Sequence, residues 1–347
     1  MIAGVQKVVP RPLETGMSDG HSARWGFSLV ELLVSLGVIS TLLGFIAPAI
    51  QASRESSRRL QCLNHMRQFA VAEHSFESAH GHFPEVSFGP SDNIGLVSRA
   101  ILSHHYSLLP YLDQTATFQQ VDVSAGLQSS LNTPPVYAGA SLPNIPLFHC
   151  PSDIFRSGCN SLRVCAGTSP GLHGYDFSSN GDRPLGGFGV GRSRQASEFT
   201  DGQSNTIMLS ERVLGDWDSN RYEPFRDIAM QIPGDFLTPD EAAWRCRDLV
   251  IPNNVAYSHG GGSWLYEFYA HTAFNNVLPP NSPIPDCSSA LRLDQIPQGA
   301  FSARSLHRGG VNVAFVDGSA RFISESISLN LWRGLASASG NEPHGNF

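Results

Sequence analysis

Apolar residues run almost without a break from Phe27 to Ile50, with Glu31 as the one ionisable side chain among them. At about 1.5 Å per residue, a helix of that length crosses a hydrocarbon core of roughly 30 Å. A carboxylate at the centre of such a helix costs on the order of 3 kcal/mol, and less towards the ends, so Glu31 marks a functional position. Beyond Gln51 the polarity rises, yet no Gly or Pro interrupts the chain until Gly81, and Leu60, Leu63, Arg67, Ala70, Val71 and His74 recur at helical spacing. The pattern predicts one long helix. Its first half spans the membrane, and its second half continues into water with an apolar stripe packed on the rest of the chain, ending at Gly81 and Pro84.

Past the helix the pattern shortens. His105 to Gln114, with Thr117 and Phe118 after it, predicts a buried segment, a proline turn and a short helix, and Phe148 to Asp153 closes one section. Glycine, serine and asparagine between Asn160 and Arg194 predict loops and short strands. Thr200 to Glu211 reads as an Asp-Gly turn entering a strand with Ile207 and Leu209 on one face. Residues 217–297 have no clear period and predict long loops over a sheet, whereas Val311 to Ile323 alternates around Asp317-Gly318 and predicts a type I′ hairpin. In that register Val313 faces Phe322, and Val311, Val313, Phe315 and Phe322 form a core face. Ile327, Leu331, Trp332 and Leu335 predict a closing helix that stops near Gly340.

Composition narrows the function classes. A net charge of −7 and 41 % hydrophobic residues describe a chain able to bury a core, with no basic footprint for nucleic acid. The six cysteines show no C-x-x-C pair, and outside the cytoplasm an even number permits disulfides. Two pairings are expected, Cys62 with Cys150 and Cys246 with Cys287, against the alternative of free buried thiols. His104, His105 and His259 are expected in exposed loops. The sequence holds no Gly-rich phosphate loop, no G-x-S-x-G elbow and no H-E-x-x-H.

The stretch Gly26-Phe27-Ser28-Leu29-Val30-Glu31 ahead of the apolar run resembles the type IV prepilin processing site. In that family a membrane peptidase cuts after the glycine and methylates the new amino terminus, here Phe27. The glutamate, here Glu31, then pairs with the amino terminus of a neighbouring subunit, and Pro48 falls where many pilins carry a helix-kinking proline. The alternatives are a signal-anchor helix that holds a glutamate by accident and a secretory signal core; such cores span only about 7–15 residues and end at small-residue cleavage sites, which favours the prepilin reading. The resemblance favours translation from Met17, which leaves a short basic leader. Arg54, Arg58 and Arg59 follow the run and by themselves argue for the opposite orientation; the processing motif outweighs them, since this peptidase acts at the cytoplasmic face.

His307 precedes Asp317-Gly318 by the spacing H-x9-D-G. With the prepilin start, this resembles a large family of bacterial prepilin-like proteins that bear a domain of unknown function with the same signature. Cys62-Leu63-Asn64-His65, Gly81-His82-Phe83-Pro84, Leu109-Pro110-Tyr111-Leu112-Asp113-Gln114, Cys150-Pro151-Ser152-Asp153 and Asp201-Gly202-Gln203-Ser204-Asn205-Thr206 extend the likeness over nearly the whole mature chain. His307 with Glu211 or Asp201 could form a ligand or acid–base set. The preferred reading is structural, with Asp317 in the turn and His307 capping the incoming strand, so no catalytic residue, metal or cofactor is expected.

The expected fold is α+β and pilin-like: a long N-terminal helix on an antiparallel sheet domain with long loops. The expected organisation is a leader over 1–26, a membrane helix over 27–50, its continuation over 51–83 and a β-rich domain over 84–347 with the hairpin at 307–323. The resemblance implies a non-enzymatic pseudopilin-like subunit of a type II secretion or type IV pilus-like assembly. Its implied partners are prepilin peptidase, other pilin-like subunits and the membrane, with no nucleic acid. It would pass once through a bacterial inner membrane, its C-terminal domain in the periplasm or at the cell surface. The alternative is a membrane-anchored ligand- or carbohydrate-binding module that uses Trp217, Trp244 and Trp264 over loops 181–191 and 217–297 as stacking platforms.

Overall fold

The computed structural model describes residues 26, 28–84, 87–88, 101–121, 142–171, 186–188, 193–230, 232, 236, 238–249, 256–265, 269–289 and 298–340. Residues 1–25 of the leader, Phe27 and most of loop 181–191 lie outside them. The chain divides into two compact units, Met1–Ala52 and Ser53–Phe347.

In the first unit, helix α1 (Leu29–His80) begins, and it accommodates Pro48 without a break. None of its most apolar stretch, of mean hydropathy 2.3, is buried; by length and composition it is a candidate membrane span or signal anchor.

In the second unit α1 turns Cys62, Leu63, Met66, Phe69, Ala70 and Glu73 inward. Leu60 and Val71, expected in that stripe, are 58 % and 65 % exposed. The buried positions follow the i, i+4, i+7 spacing from Cys62, which passes both residues by. The helix stops where the Gly81 N–H bonds back to Glu77 O.

The elements that follow are short. In chain order they are β1 (Ser87–Phe88), β2 (Ile101–Leu102), α2 (His104–Leu108), α3 (Thr115–Gln120), β3 (Leu162–Cys165), β4 (Ile207–Glu211), β5 (Ile228–Ala229), α4 (Pro239–Arg247), β6 (Ala256–Tyr257), β7 (Ala273–Phe274), β8 (Asp286–Ser288), β9 (Gly299–Ala300), β10 (Gly310–Phe315), β11 (Ala320–Ser324) and α5 (Leu329–Gly334). They build a five-stranded sheet ordered β11-β10-β4-β3-β7, a four-stranded sheet ordered β6-β5-β8-β9 and the pair β1-β2. The fold is α+β with a long N-terminal helix. Its sheets are antiparallel except where β3 meets β7 and β5 meets β8.

Residues 217–297 correct the expectation of loops alone, because they carry β5 to β8 and α4. Strands of two or three residues are too short to show a period. Cys246 of α4 and Cys287 of β8 form a disulfide within a small core that includes Val277, Leu278 and Ala300.

The closing hairpin differs by one register step from expectation. Val313 pairs with Arg321 and Val311 with Ile323, so Phe322 stands opposite Asn312. The turn is a three-residue loop in which the Gly318 N–H bonds to Phe315 O and Phe315 N–H to Ser319 O. Gly318 alone has positive φ, +83°, where a type I′ turn needs two such residues. One extra loop residue flips the second strand, and Ile323 joins Val311, Val313 and Phe315 in the core in place of Phe322. A bulge in the pairing of β10 with β4 likewise parts Ile207 from Leu209, which enter different cores.

His104 and His105 are fully buried on α2, not exposed. His105 stacks edge-on against Phe69 and Phe148 and shares a 2.9 Å hydrogen bond with Leu162 O; burial lowers its pKa to about 3.

Candidate functional site

At the head of α1, the Ser28 N–H donates to Glu31 Oε2 at 2.8 Å and the Glu31 N–H donates to Ser28 Oγ at 3.2 Å. This is a reciprocal capping box, and the S-x-x-E spacing was present in the sequence to predict it. Gly26 is exposed and Phe27 lies outside the described residues.

The two ends of the H-x9-D-G signature are separated by β10, whose six residues span about 20 Å at about 3.3 Å each. Asp317 is exposed at the tip of the hairpin, accepting from the Ser319 N–H at 2.9 Å. The tip lies close to α1, since a Cβ on Gly318 would come 3.8 Å from the His74 ring. His307 sits at the other end, 2 % exposed. Gly309, at φ +86°, then turns the chain into β10.

His307 meets three residues that the sequence left unconnected to it or only loosely so. Cys62, Cys150, Glu211 and His307 are all buried, and their ligand-type atoms lie within 4.8 Å of one another. Cys62 Sγ donates to Glu211 Oε2 at 3.0 Å, Cys150 Sγ lies 3.4 Å from His307 Nε2, and that nitrogen is 3.6 Å from Glu211 Oε2. The disulfide expected between Cys62 and Cys150 is not made; both are free thiols, each turned to a polar partner. On the far side of the ring, His307 Nδ1 is 2.6 Å from Glu55 Oε1. Glu55 stands seven residues before Cys62, on the same face of α1.

The surrounding backbone fixes these side chains. Glu211 ends β4 and its Oε1 accepts from the Asn312 N–H of β10 at 2.7 Å. Cys150 is held where its N–H donates to Ser161 Oγ at 2.6 Å, and the His307 N–H donates to Ser305 Oγ at 3.0 Å. Glu55 also accepts from Ser152 Oγ at 3.2 Å, in the Cys150-Pro151-Ser152-Asp153 turn.

Burial alone would lower the His307 pKa. Its hydrogen bond with Cys150, the charge of Glu211 and the hydrogen bond with Glu55 outweigh burial and hold it at about 9. The Cys62 thiol is pushed up by its hydrogen bond with Cys150, by burial and by Glu211. The cluster is thus a set of soft and hard donors around a ring already oriented by a carboxylate. A cavity of about 10 Å³ adjoins Cys150 and Glu211, room for roughly one water molecule and far below a substrate cleft.

The tryptophans proposed as stacking platforms are mostly engaged. Trp264 is fully buried and donates to Pro143 O at 3.0 Å, and Arg156 covers the Trp217 ring at 4.3 Å. Trp244 is 50 % exposed.

Residues 51–330 match a family described as "Protein of unknown function (DUF1559)". No curated protein and no solved structure matches the chain. The matched span begins just after the apolar run and takes in Glu55, Cys62, Cys150, Glu211, His307 and Asp317, and on it the chain belongs to that family.

Proposed function

We propose that this protein is a non-enzymatic, pseudopilin-like structural subunit, cut after Gly26 and methylated at Phe27 by prepilin peptidase. It is held in a bacterial inner membrane by residues 27–50, with its domain outside the cytoplasm, and it associates with other pilin-like subunits in a type II secretion or type IV pilus-like assembly. The observation that carries this reading is Glu31, the single ionisable side chain in an apolar stretch of which no part is buried. In the mature assembly its carboxylate offsets the positive amino terminus of a neighbouring Phe27, in surroundings where an unpaired charge is costly.

The Cys246–Cys287 disulfide supports an oxidising compartment for the domain. Arg58 and Arg59 fit that orientation too, since Arg58 lies 3.8 Å from Glu55 and Arg59 packs over the Phe322 ring at 4.8 Å, both within the folded unit.

Glu31 also caps α1, so the test must separate charge from capping. Glu31→Gln keeps a capping-box side chain but removes the charge. Maturation of this variant with loss of co-isolation with other pilin-like subunits is expected. Assembly at the wild-type level would show that the charge is dispensable and would overturn the reading.

A further inference from the structure

The geometry points to a zinc site: Cys62 Sγ, Cys150 Sγ, Glu211 Oε2 and His307 Nε2 bind one Zn²⁺, with Glu55 holding the imidazole from outside the coordination sphere. Zinc takes thiolate, imidazole and carboxylate ligands at about 2.0–2.3 Å, so a tetrahedral ion holds its ligand atoms about 3.3–3.8 Å apart. Three pairs here already stand at 3.0, 3.4 and 3.6 Å, and the whole set lies within 4.8 Å. Closing on an ion therefore takes side-chain shifts of about an ångström, not a rearrangement of the backbone.

The outer contact is the second, independent observation. Metal-bound histidines almost always donate their other N–H to a carboxylate, a carbonyl or a water, which fixes the tautomer and strengthens the ligand. Glu55 Oε1 lies in that position, 2.6 Å from His307 Nδ1, and Ser152 Oγ in turn donates to Glu55. The remaining Glu211 oxygen is held by the Asn312 N–H. On binding, the Cys62 and Cys150 thiols and His307 Nε2 release their protons to solvent, while Nδ1–H stays with Glu55. Two thiolates and one carboxylate then face the two charges of the ion.

With four protein ligands, all buried, the site is closed and structural, not hydrolytic. It ties together four segments far apart in sequence: the middle of α1, the turn at Cys150, the end of β4 and the loop before β10. It also assigns the two halves of H-x9-D-G to separate tasks, His307 to the ion and Asp317-Gly318 to the hairpin turn. This inference does not depend on prepilin processing, and its readouts are independent of it.

The test is zinc content and free-thiol count on the full chain, purified from membranes in detergent without chelator. One zinc per chain is expected, with four free thiols after denaturation in chelator, from Cys62, Cys150, Cys159 and Cys165. Zinc should be lost in Cys62→Ser and His307→Ala and kept in Asp317→Ala. Glu55→Gln should bind zinc about 10- to 100-fold more weakly. Should the ligand variants fail to fold, zinc-edge X-ray absorption of the wild type decides, with two sulfur and two nitrogen or oxygen neighbours expected. Two free thiols in place of four, with peptide mapping that places the bond between Cys62 and Cys150, would overturn the site. So would a zinc-free wild-type protein, a different bound metal, or zinc that persists in the Cys62→Ser, His307→Ala double variant.

Discussion

The two units of this chain break the ordinary burial rule in opposite directions. In the first, Leu29, Leu33 and Phe45 are 74 %, 61 % and 81 % exposed, and the apolar stretch has none of its length buried. In the second, Glu211, Arg212, Asp286, Arg304 and His307 are each no more than 2 % exposed. Apolar surface in the open calls for lipid or for other apolar helices, and ionisable groups in the dark call for partners of their own.

The buried groups themselves divide. Asp286 is closed by protein alone: Arg212 Nη2 at 2.8 Å, Arg304 Nη2 at 3.0 Å and the Ser302 N–H at 3.0 Å, while Arg304 also donates to Ser282 O and Ile284 O at 2.7 Å. The Cys62, Cys150, Glu211 and His307 atoms instead converge on one point. The first arrangement is complete as an ion-pair network; the second is a ligand set.

The largest effect that separates the two clusters should come from Asp286→Ala, which leaves two guanidiniums buried without their carboxylate. A loss of about 3–5 kcal/mol is expected in denaturant unfolding, unchanged by added chelator. Burial would raise the Asp286 pKa, but Arg304 and Arg212 outweigh it and hold it below its ordinary 3.8. Its contribution is therefore fully present above about pH 4 and is lost as pH falls through the depressed value.

Chelation is the mirror experiment. Removing zinc from wild-type protein should lower stability by up to about 4 kcal/mol if free zinc stood at about 1,000 times its dissociation constant. The same treatment should leave His307→Ala unmoved. Equal shifts in both proteins would erase the distinction between the clusters.

Smaller effects sharpen it. Gly318→Val places a branched side chain at φ +83° and should cost about 1–2 kcal/mol while zinc content stays at the wild-type level. That result would divide the signature into a turn and a ligand. Next to the Asp286 network, burial raises the Asp227 pKa to about 7. The stability linked to its protonated form is present at low pH and lost as pH rises through 7. Asp227→Asn should accordingly raise the melting midpoint at pH 8 and barely change it at pH 4, in paired thermal scans.

How much of this was legible depends on how far each requirement reaches along the chain. The apolar run, Glu31 and the end of α1 at Gly81 are local facts of composition, and the α+β fold with a long helix followed from them and from the hairpin pattern. The hairpin itself was legible, but its register was not: Asp317-Gly318 serves a two-residue I′ turn and a three-residue loop with Gly in the left-handed region equally well. The second sheet was hidden because strands such as Ile228–Ala229 are shorter than one alternation.

The buried cluster was the least legible. Cys62 meets Glu211 across 149 residues, Cys150 meets His307 across 157, and His307 meets Glu55 across 252. No local period encodes such meetings. The cysteines were visible as a pair to be bridged, and the fold supplied the histidine and the carboxylates that give them another use.

The proposed role in a pilin-like assembly turns on what becomes of the first residues of the chain. Mass spectrometry of the native amino terminus, on protein isolated from membranes of the source cell, tests it most directly. A chain that begins at N-methylated Phe27 is the predicted result and places the protein among prepilin-processed subunits. An intact leader, or a cut anywhere other than after Gly26, would contradict it and reduce residues 27–50 to a plain membrane anchor.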